Sequence, residues 1–316
     1  MMGYRLLGRT GLRVSDLFLG AMRFTSTEQA RPVFDRYAEA GGNVIDTAVT
    51  YGGGQSERVV GDLLAGRRDR FVLSTKYTMT RDATDVNAAG NHRKNLALSL
   101  ETSLRQLRTD YLDLYWIHMW DQNTPIEETM RALDDAVRSG KVLYVGVSDA
   151  PAWVVARANT LAQWRGWSPF AGLQVPYNLL NRDIERELLP MAESLGLSVA
   201  AWAPLAHGGL SGKGEGPVVE ALREVAAELG ATAAQVAIAW TMAHSPVVHP
   251  LLGASRVEQL EDNLGALEVT LPDEAVARLE AAADFSLGFP GDFIAKVGGA
   301  VFGDHHDRVR SRRTVP

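Results

Sequence analysis

The chain has 316 residues, of which 46% are hydrophobic and 22% are charged, and its formal net charge is −6 at pH 7. These values are typical of a globular protein with a sizeable core, and the acidic balance argues against nucleic acid as a partner. The sequence contains no cysteine, which excludes disulfides, thiolate metal sites and a cysteine nucleophile.

The amino-terminal residues predict neither export nor membrane insertion. The segment MMGYRLLGRTGLRVS has no long apolar run, so it does not resemble a signal peptide. No stretch approaches the roughly 18 uncharged apolar residues that a spanning helix needs. We therefore expect a soluble, cytoplasmic protein that does not enter a membrane.

Apolar runs of strand length recur along the whole chain. A hairpin is predicted first, around Thr10 and Gly11 in YRLLGRTGLRVS, where it covers the bottom of the fold. The near-continuous apolar character of the later runs is typical of parallel strands that are buried on both faces. Eight such runs follow at 17–22, 43–48, 71–76, 111–118, 142–148, 172–175, 198–203 and 247–254.

Segments with helical spacing lie between these runs. Ser26 or Thr27 is expected to cap the first helix, and Gly140 and Gly230 are expected to end two later ones. Leucines at i, i+4, i+8 and i+11 give the second helix one apolar stripe. The predicted helices are 26–40, 92–107 with the stripe Leu96, Leu100, Leu104 and Leu107, 127–139 and 217–229.

Eight strands that alternate with helices predict an α/β fold, the (β/α)8 TIM barrel, in which the sheet closes on itself. Such a barrel takes about 250 residues or more, so a single domain over residues 1–316 accounts for the chain. An open, doubly wound sheet is the alternative. No G-x-G-x-x-G motif follows the first strand, so the alternative has no support from a dinucleotide-binding motif.

Ionisable residues stand at the ends of three neighbouring predicted strands. Strand two ends at Asp46 and has Tyr51 on its loop. Strand three ends at Lys76, and strand four ends at His118. Each residue alone has an ordinary interpretation as a cap, a snorkelling lysine or a core histidine. Together they are costly to bury unless charges neutralise each other, as an Asp46–Lys76 pair would.

These side chains indicate acid–base chemistry at an oxygen atom, in the place where barrel enzymes carry their working residues. A tyrosine is a weak acid, and a lysine cation within reach stabilises its phenolate. Asp46 would keep Lys76 charged and oriented. His118 would then position a carbonyl oxygen against Tyr51. The set has no obvious nucleophile or metal cage, so a redox step needs an outside hydride donor.

Seven segments match a known family in order. They are IDTAVTYGGGQSE, LSTKY, YLDLYWIHMWD, VGVSDA, LQVPYNLLNRDIERELLP, AWAPLAHGGLSGK and LLGASRVEQLEDNLGAL. With the start YRLLGRTGLRVSDLFLGAM, the chain resembles the aldo-keto reductases over roughly residues 4 to 267. It is more similar to bacterial members and to potassium-channel β-subunits than to the mammalian steroid branch. The resemblance implies that the chain reduces an aldehyde or ketone to an alcohol with NAD(P)H.

The resemblance also assigns catalytic roles. Tyr51 matches the family's general acid, and Lys76 and Asp46 match the pair that tunes it. His118 matches the residue that orients the substrate. These four residues form the tetrad of the family.

Three residues fall where family members hold the nicotinamide carboxamide, namely Ser148, Asp149 and Gln174. The second position is commonly Asn. Asp149 can accept a hydrogen bond from the carboxamide NH2 group but cannot donate one to its carbonyl, so we expect an altered grip on the cofactor. Trp202 falls where an aromatic ring stacks on the nicotinamide.

The resemblance implies further cofactor contacts in a glycine-rich loop suited to the pyrophosphate and at a helix start suited to a 2′-phosphate. Arg256 is the candidate phosphate clamp. NADP(H) is favoured, while NAD(H) stays open because Glu258, Glu261 and Asp262 weaken the local positive field. The implied contacts are Gly20, Ala21, Met22, Asp46, Ala203, Pro204, Leu205, Gly208, Lys213, Gly253, Ser255, Arg256, Gln259 and Asn263.

The substrate pocket is expected beside the tetrad. Its aromatic and methionine lining suits hydrophobic aldehydes, whereas Arg23 at the rim also suits sugars or acids. The implied lining is Met22, Arg23, Phe24, Tyr51, His118, Met119 and Trp120.

A tail over residues 285–316 is expected near the mouth of the barrel. Its basic end is expected to be disordered. His305 and His306 fit no defined metal spacing, so no metal is expected. The phenylalanines expected to cap the mouth are Phe285, Phe289, Phe293 and Phe302.

Carbonyl reduction of a small molecule is the first functional hypothesis. The alternative is a nicotinamide-binding regulatory subunit that senses redox state with little turnover. A third hypothesis, a cofactor-free barrel lyase or isomerase, predicts no cofactor binding. No oligomer interface is legible in the sequence, so a monomer and a homo-oligomer are both open.

Overall fold

The computed structural model describes residues 1–303 and residue 305. Eight parallel strands form a closed barrel in chain order, and the last strand closes on the first where Leu251 pairs with Phe18. Two short strands precede the barrel. The strands are β1 (Tyr4–Leu6), β2 (Arg13–Ser15), β3 (Phe18–Gly20), β4 (Val44–Asp46), β5 (Val72–Tyr77), β6 (Leu112–Ile117), β7 (Val142–Ser148), β8 (Phe170–Pro176), β9 (Ser198–Trp202) and β10 (Val248–Leu252).

The closed sheet confirms the predicted TIM barrel and rules out the open sheet. Each of the eight predicted runs contains or overlaps one barrel strand. The boundaries differ because backbone pairing, rather than apolar character, sets where a strand ends. The run 17–22 contributes only Phe18–Gly20, while the run 172–175 belongs to the longer strand Phe170–Pro176.

The four predicted helices are confirmed to within one residue at either end. Ser26, rather than Thr27, caps the first of them, because its side chain accepts a hydrogen bond of 3.2 Å from the backbone nitrogen of Gln29. The helices are α1 (Thr27–Glu39), α2 (Gln55–Leu64), α3 (Arg93–Leu107), α4 (Ile126–Arg138), α5 (Ala152–Arg165), α6 (Leu188–Leu195), α7 (Pro217–Leu229), α8 (Ala233–His244), α9 (Val257–Leu264), α10 (Asp273–Ala282) and α11 (Gly291–Phe302).

The amino-terminal hairpin closes the bottom of the barrel, as predicted. Strands β1 and β2 pair antiparallel, and Leu7 and Val14 are fully buried with Val44 and Val72, which begin β4 and β5. The backbone nitrogen of Gly8 donates to Ser198 Oγ at 2.8 Å, and Ser198 is the first residue of β9. The opposite end of the barrel, where the strands finish, is left open by the hairpin.

A single indole fills much of the barrel interior. Trp116 of β6 is buried, and its ring approaches the backbone of both following strands. A Cβ atom at Gly146 would lie 2.3 Å from this ring, and one at Gly172 would lie 2.9 Å from it. These glycines therefore give the indole the space that side chains on β7 and β8 would otherwise take.

The tail lies on the same end of the barrel as the loops that follow β7 and β8. The guanidinium groups of Arg182 and Arg186 lie 4.6 and 4.9 Å from the centre of the Phe285 ring. Residues of the tail and of both loops line a cleft of about 320 Å³. The predicted position near the mouth agrees with these contacts.

Two of the phenylalanines expected to cap the mouth are exposed. Phe289 is 86% exposed and lines this cleft, and Phe293 is 56% exposed. The Phe302 side chain, residue 304 and the basic end 306–316, with His306, lie outside the described residues. No helix in the described part of the chain is long and apolar enough to cross a membrane.

One buried histidine makes stability depend on pH. The His249 ring stacks on Phe18 with 4.8 Å between centroids, and its Nδ1 atom lies 3.1 Å from the Ser15 carbonyl oxygen. Burial, with a smaller effect from Arg5, lowers the pKa of His249 to about 3. The unfolded chain therefore binds this proton near pH 6.5 while the folded chain does not, so His249 makes the protein less stable as pH falls.

We expect His249→Asn to flatten this dependence, since the Asn amide can still donate to Ser15 but does not titrate. The slope of the free energy of unfolding between pH 6 and 4 should decrease by up to about 1.4 kcal/mol per pH unit. Urea unfolding at several pH values measures it. Equal slopes in the two proteins would contradict the assignment.

Candidate active site

The open end of the barrel brings the four predicted catalytic residues together. Asp46 is the last residue of β4, Lys76 lies one residue before the end of β5, and His118 directly follows β6. Tyr51 begins a short helical turn, 51–54, on the loop after β4. Because these strands are parallel neighbours, their ends meet at one edge.

Asp46 and Lys76 form a buried ion pair. Lys76 Nζ donates to Asp46 Oδ2 and, at 2.9 Å, to the Thr47 carbonyl oxygen, and the two charged side chains are 1% and 3% exposed. The other carboxylate oxygen, Asp46 Oδ1, accepts from Ser74 Oγ at 2.6 Å and from Gln174 Nε2 at 3.3 Å. Both oxygens of the carboxylate are thus hydrogen-bonded, which a buried charge requires.

The pair keeps the lysine charged. Burial alone would lower the pKa of Lys76, but Asp46 and then Tyr51 outweigh this effect, and the pKa is raised. Ser74 helps from the same strand, because residues two apart on a strand face the same side. In the sequence, the position of Ser74 two residues before Lys76 on one predicted strand was the signal that the serine lies beside the ion pair.

Tyr51 lies against both Lys76 and His118. Lys76 Nζ is 4.9 Å from the centre of the Tyr51 ring, and the Tyr51 and His118 rings meet edge to face with 5.7 Å between centroids. Burial, and then the Lys76 cation, lowers the pKa of His118 to about 3. His118 is therefore neutral at physiological pH, so it can offer a ring N–H without adding a second positive charge.

Asp149 has a partner inside the protein. It follows β7 in a left-handed conformation with φ of 46°, and its backbone nitrogen donates to the Gln174 carbonyl oxygen at 3.2 Å. Its Oδ1 atom accepts from the indole nitrogen of Trp202 at 3.3 Å. Burial raises the pKa of Asp149 against the opposing effect of this hydrogen bond. The acid at this position thus holds the ring expected to stack on the nicotinamide.

The predicted carboxamide site gathers at the mouth as well. Ser148 and Gln174 are buried at the ends of β7 and β8, and Trp202 is half-buried at the end of β9. Buried polar side chains beside a partly open aromatic face fit a flat ligand that carries an amide. Ala21, by contrast, is fully buried, and its backbone nitrogen and oxygen are both bonded inside the protein.

The glycine-rich loop after β9 has an unusual backbone. Ala203, Ala206 and His207 have φ values of 51°, 47° and 55°, in the left-handed region that residues other than glycine seldom adopt. Asn178 Nδ2 holds the loop by donating to the Ala203 carbonyl oxygen at 2.9 Å. Pro204 is buried, Leu205 is half-buried, and Gly208 and Lys213 are exposed beyond them. Of the implied pyrophosphate contacts, Gly208 and Lys213 are therefore accessible.

The predicted 2′-phosphate site lies at the start of α9. Gln259 Oε1 accepts from the Ser255 backbone nitrogen at 3.2 Å and from Ser255 Oγ at 3.0 Å. These bonds tie the loop before α9 to the first turn of that helix. Arg256 and Gly253 are exposed beside it, and Asn263 is buried on the inner face of α9.

Two of the three acids near this site are directed elsewhere. Glu261 accepts from Arg36 Nε at 2.8 Å, and Asp262 accepts from Thr232 Oγ1, also at 2.8 Å. The charge of Glu261 is therefore partly neutralised by Arg36, and the carboxylate of Asp262 is directed toward the start of α8. The negative field that the sequence suggested around Arg256 is correspondingly smaller.

The predicted substrate wall is largely open. Met22, Arg23 and Met119 are exposed, and Trp120 is half-buried. Phe24 differs, because it is only 2% exposed and packs in the core between barrel and helices. The mouth therefore has a mixed wall of sulfur, indole and guanidinium groups, to which Phe24 offers little surface.

Trp153 extends this wall and was missed by the sequence analysis. Its ring meets Trp120 edge to face with 5.5 Å between centroids, and it is 58% exposed. It lies on α5, 33 positions after Trp120, so only the fold reveals the contact. No group of three or more metal-ligating side chains occurs in the described ranges 1–303 and 305.

Comparison with known proteins identifies the family of the chain. The model of the aldo/keto reductase family matches residues 16–284. The norsolorinic acid reductase stcV of Emericella nidulans is 42% identical, over 93% of this chain and 85% of the relative. A putative aryl-alcohol dehydrogenase, AAD14, of Saccharomyces cerevisiae is 38% identical, over 92% and 89% respectively. The aldo-keto reductase ausK of Aspergillus calidoustus is 36% identical, over 92% and 84%.

The chain therefore belongs to the aldo/keto reductase family. It is an NAD(P)H-dependent oxidoreductase that acts on a small carbonyl compound. The resemblance recognised in the sequence is confirmed.

The ion pair predicts an uneven response to substitution. Asp46→Asn leaves a buried lysine without its counter-charge, so we expect a loss of about 3–5 kcal/mol in the free energy of unfolding. Asp46→Asn combined with Lys76→Met removes both charges and should recover most of this loss. Urea unfolding at pH 7 compares the variants. A double variant no more stable than Asp46→Asn would show that the pair does not act as proposed.

Proposed function

We propose that this chain reduces an aldehyde or ketone with Tyr51 as the general acid. The observation that carries the proposal is the position of the Tyr51 ring, 4.9 Å from Lys76 Nζ and edge to face with His118. A phenol is a poor proton donor unless the phenolate that it leaves behind is stabilised. The buried cation beside Tyr51 supports that role.

Each residue of the tetrad has a distinct task. Tyr51 gives its proton to the carbonyl oxygen, and the Lys76 cation stabilises the phenolate that forms. Asp46 keeps that cation in place. His118, neutral because its pKa is lowered to about 3, donates a hydrogen bond that orients the carbonyl oxygen. A bound nicotinamide supplies the hydride for the carbonyl carbon.

The cofactor is held, in this proposal, by the polar group at the ends of β7 and β8. Ser148 and Gln174 bind the carboxamide, and Trp202 stacks on the ring. Asp149 accepts from the carboxamide NH2 group while its other role is to hold the indole of Trp202.

We infer a preference for NADPH over NADH. Arg256 is exposed at the start of α9, and Glu261 and Asp262 are engaged with other residues. A guanidinium group and helix N–H groups together suit a phosphate monoester. Glu258 is the acid that still weakens the local field.

The substrate we favour is a flat, apolar carbonyl compound, such as an aromatic aldehyde or ketone. Trp120 and Trp153 form a joined aromatic surface at the mouth, and Met119 adds a polarizable side chain. The name of one relative, a putative aryl-alcohol dehydrogenase, agrees with an aromatic substrate. Arg23 suits a phenolate or carboxylate on that substrate.

Tyr51→Phe tests the general acid. We expect turnover of an aromatic aldehyde with NADPH to fall by a factor of about 10² or more, because the proton donor is gone. The Kd for NADPH, from quenching of tryptophan fluorescence, should stay within about twofold of wild type. Tyr4→Phe, on the hairpin at the opposite end, is the control. Wild-type turnover in Tyr51→Phe would refute the proposal, and tight NADPH binding without turnover in the native protein would favour a redox-sensing subunit.

Arg256→Ala tests the cofactor preference. Loss of a charge-assisted contact to a phosphate should raise the Kd for NADPH by about tenfold to hundredfold. The Kd for NADH, which lacks that phosphate, should change by less than about twofold. Fluorescence titration of both cofactors gives the comparison. Equal losses for the two cofactors would mean that Arg256 does not bind the 2′-phosphate.

A further inference from the structure

A buried carboxylate lies directly behind the proposed general acid. Glu57 is in the first turn of α2, six residues after Tyr51, and it is fully buried. No lysine or arginine of the described residues forms a salt bridge with it. Burial raises the pKa of Glu57 to about 7 against the effect of its hydrogen bonds. A carboxyl group in such surroundings reduces stability unless its hydrogen bonds compensate.

The first hydrogen bond of Glu57 connects it to the strand that carries the lysine. Thr75 Oγ1 donates to Glu57 Oε1 at 2.6 Å. Successive side chains of a strand point to opposite faces, so Thr75 faces the helices while Lys76 faces the barrel interior. Glu57 therefore holds the outer face of β5 directly behind the buried cation.

The second hydrogen bond connects Glu57 to the turn that carries the tyrosine. With its amide nitrogen turned toward its acceptors, Gln106 of α3 donates to Glu57 Oε2 at 2.9 Å and to the Gly54 carbonyl oxygen at 3.0 Å. Gly54 ends the turn that Tyr51 begins. Its φ is 86°, and a Cβ atom there would lie 2.4 Å from the Gln106 amide, so the turn is pressed against this side chain.

We propose that Glu57 is a positioning residue, which acts through Gln106 and Gly54 to hold Tyr51 at its working distance from Lys76. The chain of contacts runs from β5 through α2 and α3 to the turn, and all of it lies outside the barrel. It fixes the two catalytic side chains relative to each other from behind, without touching substrate or cofactor. The inference rests on the proposed role of Tyr51.

Glu57→Gln is the principal test. It keeps the shape of the side chain, but an amide has one acceptor oxygen where the carboxylate has two, so it cannot accept from both Thr75 and Gln106, and the link between β5 and the turn is weakened. A displacement of about 1 Å in a catalytic group costs up to about a hundredfold in rate, and we expect the single-turnover rate of carbonyl reduction to fall by about tenfold to hundredfold. The Kd for NADPH should change by less than about twofold.

Two further variants separate positioning from loss of packing. Gln106→Met removes the bond to Gly54 while Thr75 still binds Glu57, and we expect it to lower the rate to a similar extent. Asn159→Leu is the matched control, since Asn159 is a buried polar residue that ties α5 to Phe170 on the far side of the barrel. We expect Asn159→Leu to lower the melting temperature without a comparable loss of rate.

The decisive measurement is a double-mutant cycle with Tyr51→Phe. If Glu57 acts through Tyr51, Glu57→Gln should lower the residual rate of Tyr51→Phe by less than about twofold. The inference alone is overturned if Glu57→Gln lowers the rate of Tyr51→Phe by a full tenfold or more. It is also overturned if neither Glu57→Gln nor Gln106→Met lowers the wild-type rate, or if Asn159→Leu lowers that rate equally. Wild-type turnover in Tyr51→Phe overturns the proposed function, and this inference with it.

Discussion

The buried ion pair of Asp46 and Lys76 is the interaction on which the site depends. A charge that is almost completely buried needs hydrogen bonds on every side, and here they come from several parts of the chain. Ser74 lies on the strand of the lysine, and the Thr47 carbonyl oxygen follows the strand of the acid. Gln174 reaches Asp46 across 128 positions of sequence. Only a closed barrel brings these groups to one point, so the fold and the charge pair support each other.

Much of the fold and of the candidate site could be predicted from the sequence, because strands and helices leave periodic patterns in it. The strand runs, the helix bounds and the four candidate catalytic residues follow from patterns within short segments, and three of the four stand at or beside strand ends. Contacts between distant segments were not legible. Trp153 reaches Trp120 only because α5 follows β7 at the mouth, and Phe24 turns into the core although it stands near the rim in sequence. Side-chain direction at such positions is decided by packing, which has no local signal.

Asp149 illustrates how structure changes the meaning of a substitution. From the sequence, an acid where the family commonly has Asn suggested a weaker grip on the cofactor. In the structure an oxygen atom of Asp149 accepts the indole N–H of Trp202, so this side chain also holds the ring that is expected to stack on the cofactor. The role we propose for Glu57 is similar, since it acts on an aromatic side chain, Tyr51, through Gln106 and Gly54.

The indole of Trp116 limits which substitutions the barrel interior can accept. It uses space that three neighbouring strands would ordinarily share, and the glycines at 146 and 172 leave that space open. A larger residue at either glycine is incompatible with the indole, and a smaller residue at 116 would leave a void against two bare backbones. A substitution at any one of the three positions is therefore destabilising unless the other positions change with it.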